Sequence, residues 1–200
     1  SENPYYASDA SGILYGRQDQ SLLYCPVMLA DTEVLVPEGI RRVEKAAFYG
    51  CSRLSSVRLP ESLQSVADLA FYGCGSLASA ELPEGLAEIG DQAFWGCSSL
   101  RTLALPEGLT GLGDEAFYGC SSLQARTLPE GLTSLGNSAF YGCSSLQTLT
   151  LPEGITSLGY SAFSGCSRLE TVTLPGTLRE FGSAFSDCGA LKEVIVSEGI

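Results

Sequence analysis

The residues with the most chemical potential in this 200-residue chain are eight cysteines, seven of which form a periodic series. The series advances by 23 residues at each step and by 22 at the last, through Cys51, Cys74, Cys97, Cys120, Cys143, Cys166 and Cys188. Side chains in one slot of successive repeats point in parallel, whereas a disulfide needs converging Cβ vectors about 3.8 Å apart and zinc needs four converging ligands. We therefore expect buried free thiols that hold no metal. Cys25 lies outside the series and has no assigned role.

Acid, base and nucleophile chemistry is limited because the chain has no histidine. This excludes Ser–His and Cys–His pairs and histidine ligation of a metal. The most regular carboxylates directly follow the periodic prolines, in turns that read Pro-Glu-Gly except for Pro-Glu-Ser at residues 60–62: Glu38, Glu61, Glu84, Glu107, Glu130 and Glu153. Such a row fits either a contact for divalent cations or cationic partners, or a solvated turn that keeps the protein soluble, and we favour the second. The sequence indicates a protein that is not an enzyme and uses no cofactor.

Charge and hydropathy exclude two classes of partner. The net charge of −12 disfavours binding to phosphate backbones and anionic lipid surfaces, so we expect no nucleic acid partner. No run reaches the roughly 18–20 apolar residues that span a bilayer, so we expect no membrane insertion. The chain begins at Ser1 without an initiator methionine or a visible signal peptide, which we interpret as a trimmed N terminus.

The same period of 23 organises most of the chain. Proline recurs at Pro37, Pro60, Pro83, Pro106, Pro129, Pro152 and Pro175. In the unit at residues 83–105, Leu103 and Leu105 have the period-two spacing of a short strand with one buried face. The proline that follows ends this strand because it cannot donate to the ladder. Asp91 is a good N-cap, so the sequence predicts a single helical turn over residues 92–95.

One such unit cannot fold alone, because one helical turn is far below the roughly 12–15 residues of a marginally stable helix. Stacked units would pair their strands in parallel and draw stability from their neighbours. We interpret residues 37–200 as a solenoid of seven repeats of 22–23 residues plus the start of an eighth. In residues 1–36, apolar runs at 13–15 and 22–26 flank a polar turn, which predicts a β-hairpin cap.

The recurring pattern L-x-x-L-x-L-P-x-x-L-x-x-I-G-x-x-A-F-x-x-C resembles the BspA-like, or treponemal-type, leucine-rich repeat. The N-terminal segment resembles the hairpin that often precedes such repeats, with Cys25 where tyrosine is usual. Together they predict an α/β repeat solenoid: a right-handed leucine-rich-repeat arc with parallel strands on the concave face and short helical turns on the convex face. The resemblance implies a secreted or wall-attached protein of host-associated bacteria that adheres to host matrix proteins or cells.

A row of large aromatic residues is the first candidate binding surface. Each member directly follows a core phenylalanine, at Tyr49, Tyr72, Trp95, Tyr118 and Tyr141. Aromatic rings dominate contacts with proteins and glycans, so the row is a candidate site. The alternative, which we favour, is that the rings lie on one another and shield the convex layer.

The predicted concave face is the second candidate, because solenoids usually bind partners there. Its outward candidates are Thr127, Thr148, Thr150, Thr171 and Thr173. The strand propensity of threonine also explains these residues without a ligand. Arg126 occupies a slot that is apolar in other repeats, where an unpaired guanidinium is costly to bury. We interpret it as turned outward by a bulge or paired with carbonyl groups, and include it among the binding candidates.

The leading functional hypothesis is a non-enzymatic interaction module outside the cell or on its surface. Its expected partner is a protein, such as a host matrix or cell-surface protein, and a glycan is also possible. Two rival hypotheses are a passive spacer and a targeting module of a larger cell-surface enzyme. The full-length reading frame would discriminate between them.

Overall fold

The computed structural model describes residues 3–125 and 127–197 and has short β-strands as its regular elements. The described residues contain no helix. The strands are β1 (Tyr6–Ser8), β2 (Leu14–Gly16), β3 (Ser21–Tyr24), β4 (Glu33–Leu35), β5 (Arg42–Val43), β6 (Ser56–Arg58), β7 (Ser65–Val66), β8 (Ser79–Glu81), β9 (Glu88–Ile89), β10 (Gly111–Leu112), β11 (Ser134–Leu135), β12 (Thr148–Thr150), β13 (Thr171–Leu174) and β14 (Glu193–Val196). Arg126 and most of the predicted start of an eighth repeat, residues 198–200, lie outside the described residues.

The larger sheet, which we call the lateral sheet, has the order β1-β2-β3-β5-β7-β9-β10-β11. β2 pairs with β1 and with β3 in antiparallel fashion. From β3 onward the pairs are parallel. The second residue of each two-residue strand is buried, as at Val43, Val66 and Ile89. The N-terminal antiparallel strands therefore cover the first strand of a parallel ladder, and we call each coil's contribution to such a ladder a rank.

A second strand region carries the threonines, and we call its outward side the threonine face. It consists of two three-stranded parallel sheets, β4-β6-β8 and β12-β13-β14. The register joins equivalent positions of successive repeats, such as Val57 with Ala80 and Leu149 with Val172. These four side chains are buried and their neighbours along each strand face outward, as period-two alternation requires. The sequence prediction of stacked parallel strands is confirmed.

The helical turns predicted for the convex face are not observed in the described residues. In the turn at residues 90–97, Gln92 has a φ of 56°, outside the helical range. Successive N–H groups alternate in direction: Trp95 donates to Gln92 O within its own coil, and Phe94 donates to Ala116 O of the next coil. Coils stack at strand distances of about 4.7–4.9 Å, whereas a helix is about 10–12 Å across. A backbone bonded alternately within and between coils is thin enough for this stacking, and a helix is not.

Asp91 also has a different role from the predicted N-cap. Its carboxylate Oδ1 accepts the backbone N–H of Asp114 in the next coil at 2.8 Å. Asp68, Asp114 and Asn137 do the same for the coils that follow them. The preference of Asp and Asn for orphan N–H groups is thus used between coils. This column of side chains, which we call the Asx column, ties neighbouring coils together.

The core contains rows of aliphatic side chains and two further ladders that run along the stack. The first is a phenylalanine ladder, in which neighbouring ring centroids are 4.7–5.5 Å apart and nearly parallel. Its members are Phe48, Phe71, Phe94, Phe117, Phe140, Phe163 and Phe185. The ring spacing is close to the strand spacing, so the outer turns do not form the wide layer expected of helical turns.

The second ladder contains the seven periodic cysteines, and all eight cysteines of the chain are free and buried. From Cys74 to Cys188, each thiol donates to the carbonyl oxygen of a phenylalanine in the preceding coil at 3.1–3.4 Å. The thiols therefore satisfy buried backbone carbonyls as well as filling space. The parallel, unbonded arrangement predicted from the spacing is confirmed.

Candidate functional site

The aromatic row forms a continuous outer stack. Neighbouring rings of Tyr49, Tyr72, Trp95, Tyr118 and Tyr141 have centroids 4.5–5.5 Å apart and interplanar angles of 2–9°. Tyr49, at one end of the stack, is 49% exposed. The other four rings are half-buried. The packing alternative favoured from the sequence describes this geometry.

Stacking restricts what the aromatic row can bind. Each interior ring has both faces against neighbouring rings, so solvent meets ring edges. Contact with the apolar face of a sugar requires an open ring face, which the interior of the stack lacks. The four tyrosines carry phenolic hydroxyl groups that donate and accept hydrogen bonds, and Trp95 carries an indole N–H that donates. The row is therefore better suited to a protein surface than to a glycan.

The threonine face is regular in its C-terminal half. Thr148 pairs with Thr171 and Thr150 pairs with Thr173 in the parallel register of β12 and β13. Thr127 joins the same ladder through a bridge to Thr150. Thr127, Thr148 and Thr150 are exposed, and Thr171 and Thr173 are half-buried. The structure thus brings all five threonine candidates together on one surface, whereas Arg126 lies outside the described residues.

The threonine face is interrupted in its middle. The first sheet ends at β8, whose Ser79 bridges to Thr102, and the ladder resumes with the bridge from Thr127 to Thr150. Within the described chain, no strand pair joins the ranks around Thr102 and Thr127. Leu103 is only half-buried, whereas Leu149 in the equivalent slot is 2% exposed. Strand pairing is therefore missing between these two described coils, although the Gln124 N–H still donates to Arg101 O at 3.0 Å.

Two depressions flank the rank of Gln124 and Ala125. One, of about 380 Å³, lies at the interruption between residues 102–105 on one side and residues 124–125 and 127–129 on the other. The other, of about 360 Å³, is polar and lies between Gln124 and Arg168. We call the two together the central groove. Ala125 opens it because its side chain is smaller than the threonine of the next two ranks, Thr148 and Thr171.

The sequence did not identify the polar half of the central groove. Its walls include Gln124, Ser145, Gln147 and Arg168 beside the predicted Thr148. These four residues precede the strand proper, where period-two alternation gives no guide to direction. The one sequence signal for the groove is Ala125, which stands where the next two repeats have threonine. The sequence shows this difference but does not show that a groove lies beside it.

The charged residues of the threonine face lie mainly towards its ends. Arg58 and Glu81 form an ion pair of 2.7 Å near the N-terminal end. Lys192 contacts Glu170 at 3.3 Å near the C-terminal end. The coils between them present threonine, alanine and glutamine, together with the exposed Arg101 in the repeat position of Gln124. The middle of the face therefore offers neutral hydrogen-bonding groups, with Arg101 and Arg168 beside them.

The thiols in the interior of the cysteine ladder are poor nucleophiles. Burial raises the pKa of the Cys166 thiol to about 12. Burial likewise raises the pKa of the Cys97, Cys120 and Cys143 thiols well above the usual range. Because the thiolate is the nucleophile and the metal ligand, these side chains stay protonated at neutral pH.

Three other features bear on function. Over residues 3–125 and 127–197, no group of three or more Cys, Asp or Glu side chains is arranged to hold a metal ion. In the same residues, no helix is long and apolar enough to cross a membrane. In the Pro-Glu-Gly turns, Glu107 accepts the N–H of Glu130 in the next coil at 3.0 Å. These glutamates contribute to coil-to-coil bonding as well as to surface charge.

Known proteins with this architecture include bacterial leucine-rich repeat proteins. The chain is 28% identical to a leucine-rich repeat protein from Bacteroides ovatus, with a TM-score of 0.80, over 94% of this chain and 50% of that one. It is 31% identical to the T. pallidum leucine-rich repeat protein, with a TM-score of 0.79, over 96% of this chain and 91% of that one. The pneumococcal vaccine antigen PcpA shares the fold at 19% identity and a TM-score of 0.58, over 98% of this chain and 48% of that one. The chain thus spans half the length of the B. ovatus protein.

A family model matches nearly all of the repeat region. The model, described as the BspA type leucine-rich repeat region, matches residues 29–125 and 110–200 with six copies. No curated protein matches the chain at a significant level. Because the family model covers most of the chain and the stacked coils share the architecture of the T. pallidum protein, this chain belongs to the BspA-type leucine-rich repeat family.

Proposed function

We propose that this chain is a non-enzymatic module, displayed outside the cell or on its surface, that binds a protein partner through the threonine face. The observation that carries the proposal is the central groove, which interrupts an otherwise regular ladder. A depression in a rigid surface lets a partner bury side chains, and buried contacts contribute most of the affinity in protein interfaces. The family resemblance supports display outside the cell and a host matrix or cell-surface protein as the partner.

The chemistry of the groove fits a polypeptide. Gln124 and Gln147 offer amide donors and acceptors, and Thr127 and Thr148 offer hydroxyl groups. Leu103 and the other half-buried apolar side chains at the interruption add a small hydrophobic contact. Peptide backbone groups and short apolar side chains complement these groups. Arg168 supplies a positive charge for an acidic side chain of the partner.

Binding of the purified chain to a panel of immobilised extracellular-matrix proteins tests this proposal. The variant Gln124→Ala/Gln147→Ala/Arg168→Ala should weaken binding at least tenfold, because it removes three groups of the groove. The variant Arg179→Ala is the charge-matched control. Arg179 is exposed, and its neighbour Glu180 bridges to Ser157, on the side of the coil that carries the lateral sheet and not the groove. Equal loss in both variants would show that net charge, rather than the groove, determines binding.

The aromatic row is tested in the same assay by Tyr72→Ala/Trp95→Ala/Tyr118→Ala. Loss of binding in this variant, with the groove variant unaffected, would move the site to the outer turns. A passive spacer is the second candidate function, because the phenylalanine ladder runs without a break from Phe48 to Phe185 and makes the stack rigid. Absence of binding by the wild-type chain to every protein of the panel would favour the spacer, and binding retained by both variants would place the site elsewhere on the chain.

A further inference from the structure

Cys25, which the repeat pattern leaves unassigned, occupies a phenylalanine slot. It lies 23 residues before Phe48, and its backbone N–H donates to Ala47 O at 2.7 Å. The N–H of Phe48 donates to Ala70 O, also at 2.7 Å. The strand β3 of the N-terminal antiparallel segment therefore continues into a partial coil. In that coil, a cysteine stands at the start of the phenylalanine ladder.

Cys51, the first member of the cysteine ladder, consequently meets another cysteine instead of a phenylalanine. Its Sγ lies 3.8 Å from Cys25 O and 3.9 Å from Pro26 O. The Sγ of Cys25 lies 3.9 Å from the same Pro26 oxygen. The two sulfur atoms thus converge on one carbonyl group, whereas each later thiol has a phenylalanine carbonyl within 3.4 Å.

Slot geometry separates this pair from every pair within the ladder. Neighbouring ladder thiols occupy identical slots, so their Cα–Cβ vectors are parallel and unsuited to a disulfide. Cys25 and Cys51 occupy different slots, and their side chains approach from different positions along the coil. A hydrogen bond between the two side chains raises the pKa of Cys25 and lowers the pKa of Cys51. Both sulfur atoms also lie 3.9 Å from the Pro26 oxygen, which places them at the same end of the cysteine ladder.

We propose that Cys25 and Cys51 form a disulfide bond that joins the N-terminal hairpin to the first coil. The reaction is thiol–disulfide exchange with a small-molecule disulfide as the oxidant. The Cys51 thiolate attacks the oxidant, releases one thiol and forms a mixed disulfide. The Cys25 sulfur then attacks the Cys51 sulfur and releases the second thiol. Two protein thiols are oxidised, one external disulfide is reduced to two thiols, and the protein's two protons pass to these thiols.

The position of the pair at the end of the stack gives the oxidant access. Cys51 is covered on one side by the N-terminal segment alone, so local opening of that segment exposes both sulfur atoms. Cys97 and the other interior thiols lie between coils on both sides and become exposed only when coils separate. The disulfide would close a loop spanning 26 residues and would oppose loss of the hairpin from the stack.

The test is equilibration of the folded chain with oxidised or reduced glutathione, followed by alkylation under denaturing conditions and mass spectrometry. We expect the number of alkylated thiols to fall from eight to six. Non-reducing tryptic digestion should give a peptide of residues 18–41 linked to one of residues 46–53. The oxidised protein should melt about 5–10 °C higher, since closure of a loop of this size restricts the unfolded chain.

Single-site variants make the result decisive. Cys25→Ser and Cys51→Ser should each abolish the linked peptide and the rise in melting temperature. Cys97→Ser, from the interior of the ladder, should retain both. The proposal is overturned if all eight thiols remain alkylatable after oxidation of the folded chain, or if the linked peptides join two members of the periodic ladder. A linked pair without any rise in melting temperature would overturn the stabilising role of the bond.

Discussion

The phenylalanine ladder and the threonine face differ in regularity although they belong to the same coils. Ring centroids in the ladder stay within 4.7–5.5 Å from Phe48 to Phe185. The strand pairing of the threonine face ends near Thr102 and resumes near Thr127. One layer can therefore hold the coils in register while the other changes. In a solenoid stabilised by neighbour contacts, the layer that carries less of the packing is the one free to form a binding surface.

The strongest test of this comparison is to remove one ring from the phenylalanine ladder. Phe117→Ala should lower the free energy of unfolding by about 3–5 kcal/mol, because it creates a cavity between two coils. Thr150→Ala, on the threonine face, should cost no more than about 1 kcal/mol. Urea denaturation followed by circular dichroism measures both values. Similar losses for the two variants would contradict the assignment of the packing role to the ladder.

The sequence predicted the ladders because their residues repeat with the coil. The 23-residue period placed Phe94 and Cys97 in fixed slots, and stacking of equal slots requires continuous rows. The prediction of a helical turn was wrong because it depended on Asp91 and the residues after it, which carry only local signals for the start of a helix. Those signals do not include the spacing between coils, which excludes a helix of about 10–12 Å diameter.

The central groove was less accessible from the sequence. Thr127 and Thr148 followed from period-two alternation, so their shared surface was predictable. Gln124 and Gln147 lie outside the alternating segment, and their grouping depends on which ranks pair. Cys25 lies one period before Phe48, but only its hydrogen bond to Ala47 O shows that the repeat register continues into the N-terminal segment. The local sequence pattern thus predicts where a residue lies along its coil. The places where strand pairing between coils is missing are known only from the structure.

Close approach between coils gives a second, smaller test beside the Asx column. A Cβ atom at Gly113 would lie 2.5 Å from the backbone nitrogen of Asp91. Gly113→Ala should therefore cost about 1–3 kcal/mol, because the two coils must move apart. At Gly75, a Cβ atom would have its nearest neighbour at 3.9 Å, so Gly75→Ala is the matched control. Equal melting temperatures for the two variants would show that the coils adjust without cost.

The pH dependence of stability tests whether the cysteine ladder is buried as firmly as the rings. The Cys166 thiol has a pKa of 9.0 when unperturbed and about 12 in the folded chain. Its stabilising contribution is complete below pH 9 and is lost as the pH rises towards 12, because the unfolded chain releases the proton first. The free energy of unfolding should fall with pH about 1.4 kcal/mol per unit less steeply in Cys166→Ala. Parallel pH profiles for wild type and variant would indicate that this thiol is solvated.

The smallest expected effect, and the most informative about the groove, comes from restoring the repeat pattern. In the repeat pattern of the sequence, Arg126 corresponds to Leu103 and Leu149, and no strand pair joins the described residues around Thr102 and Thr127. Because the repeat pattern favours an apolar residue at this position, Arg126→Leu should stabilise the chain by about 1 kcal/mol. Thermal unfolding measures the gain, and Thr127→Leu is the control outside the apolar slot.

Binding by the same Arg126→Leu variant separates packing from function. If continuous strand pairing closes the central groove, the variant should gain stability and lose affinity for a partner that occupies the groove. A gain in stability with unchanged affinity would place the partner elsewhere on the chain. Loss of both would show that the arginine slot is required for folding, and the interruption would then be a structural feature without a binding role. The departure from the repeat is therefore the position where stability and recognition are expected to oppose one another.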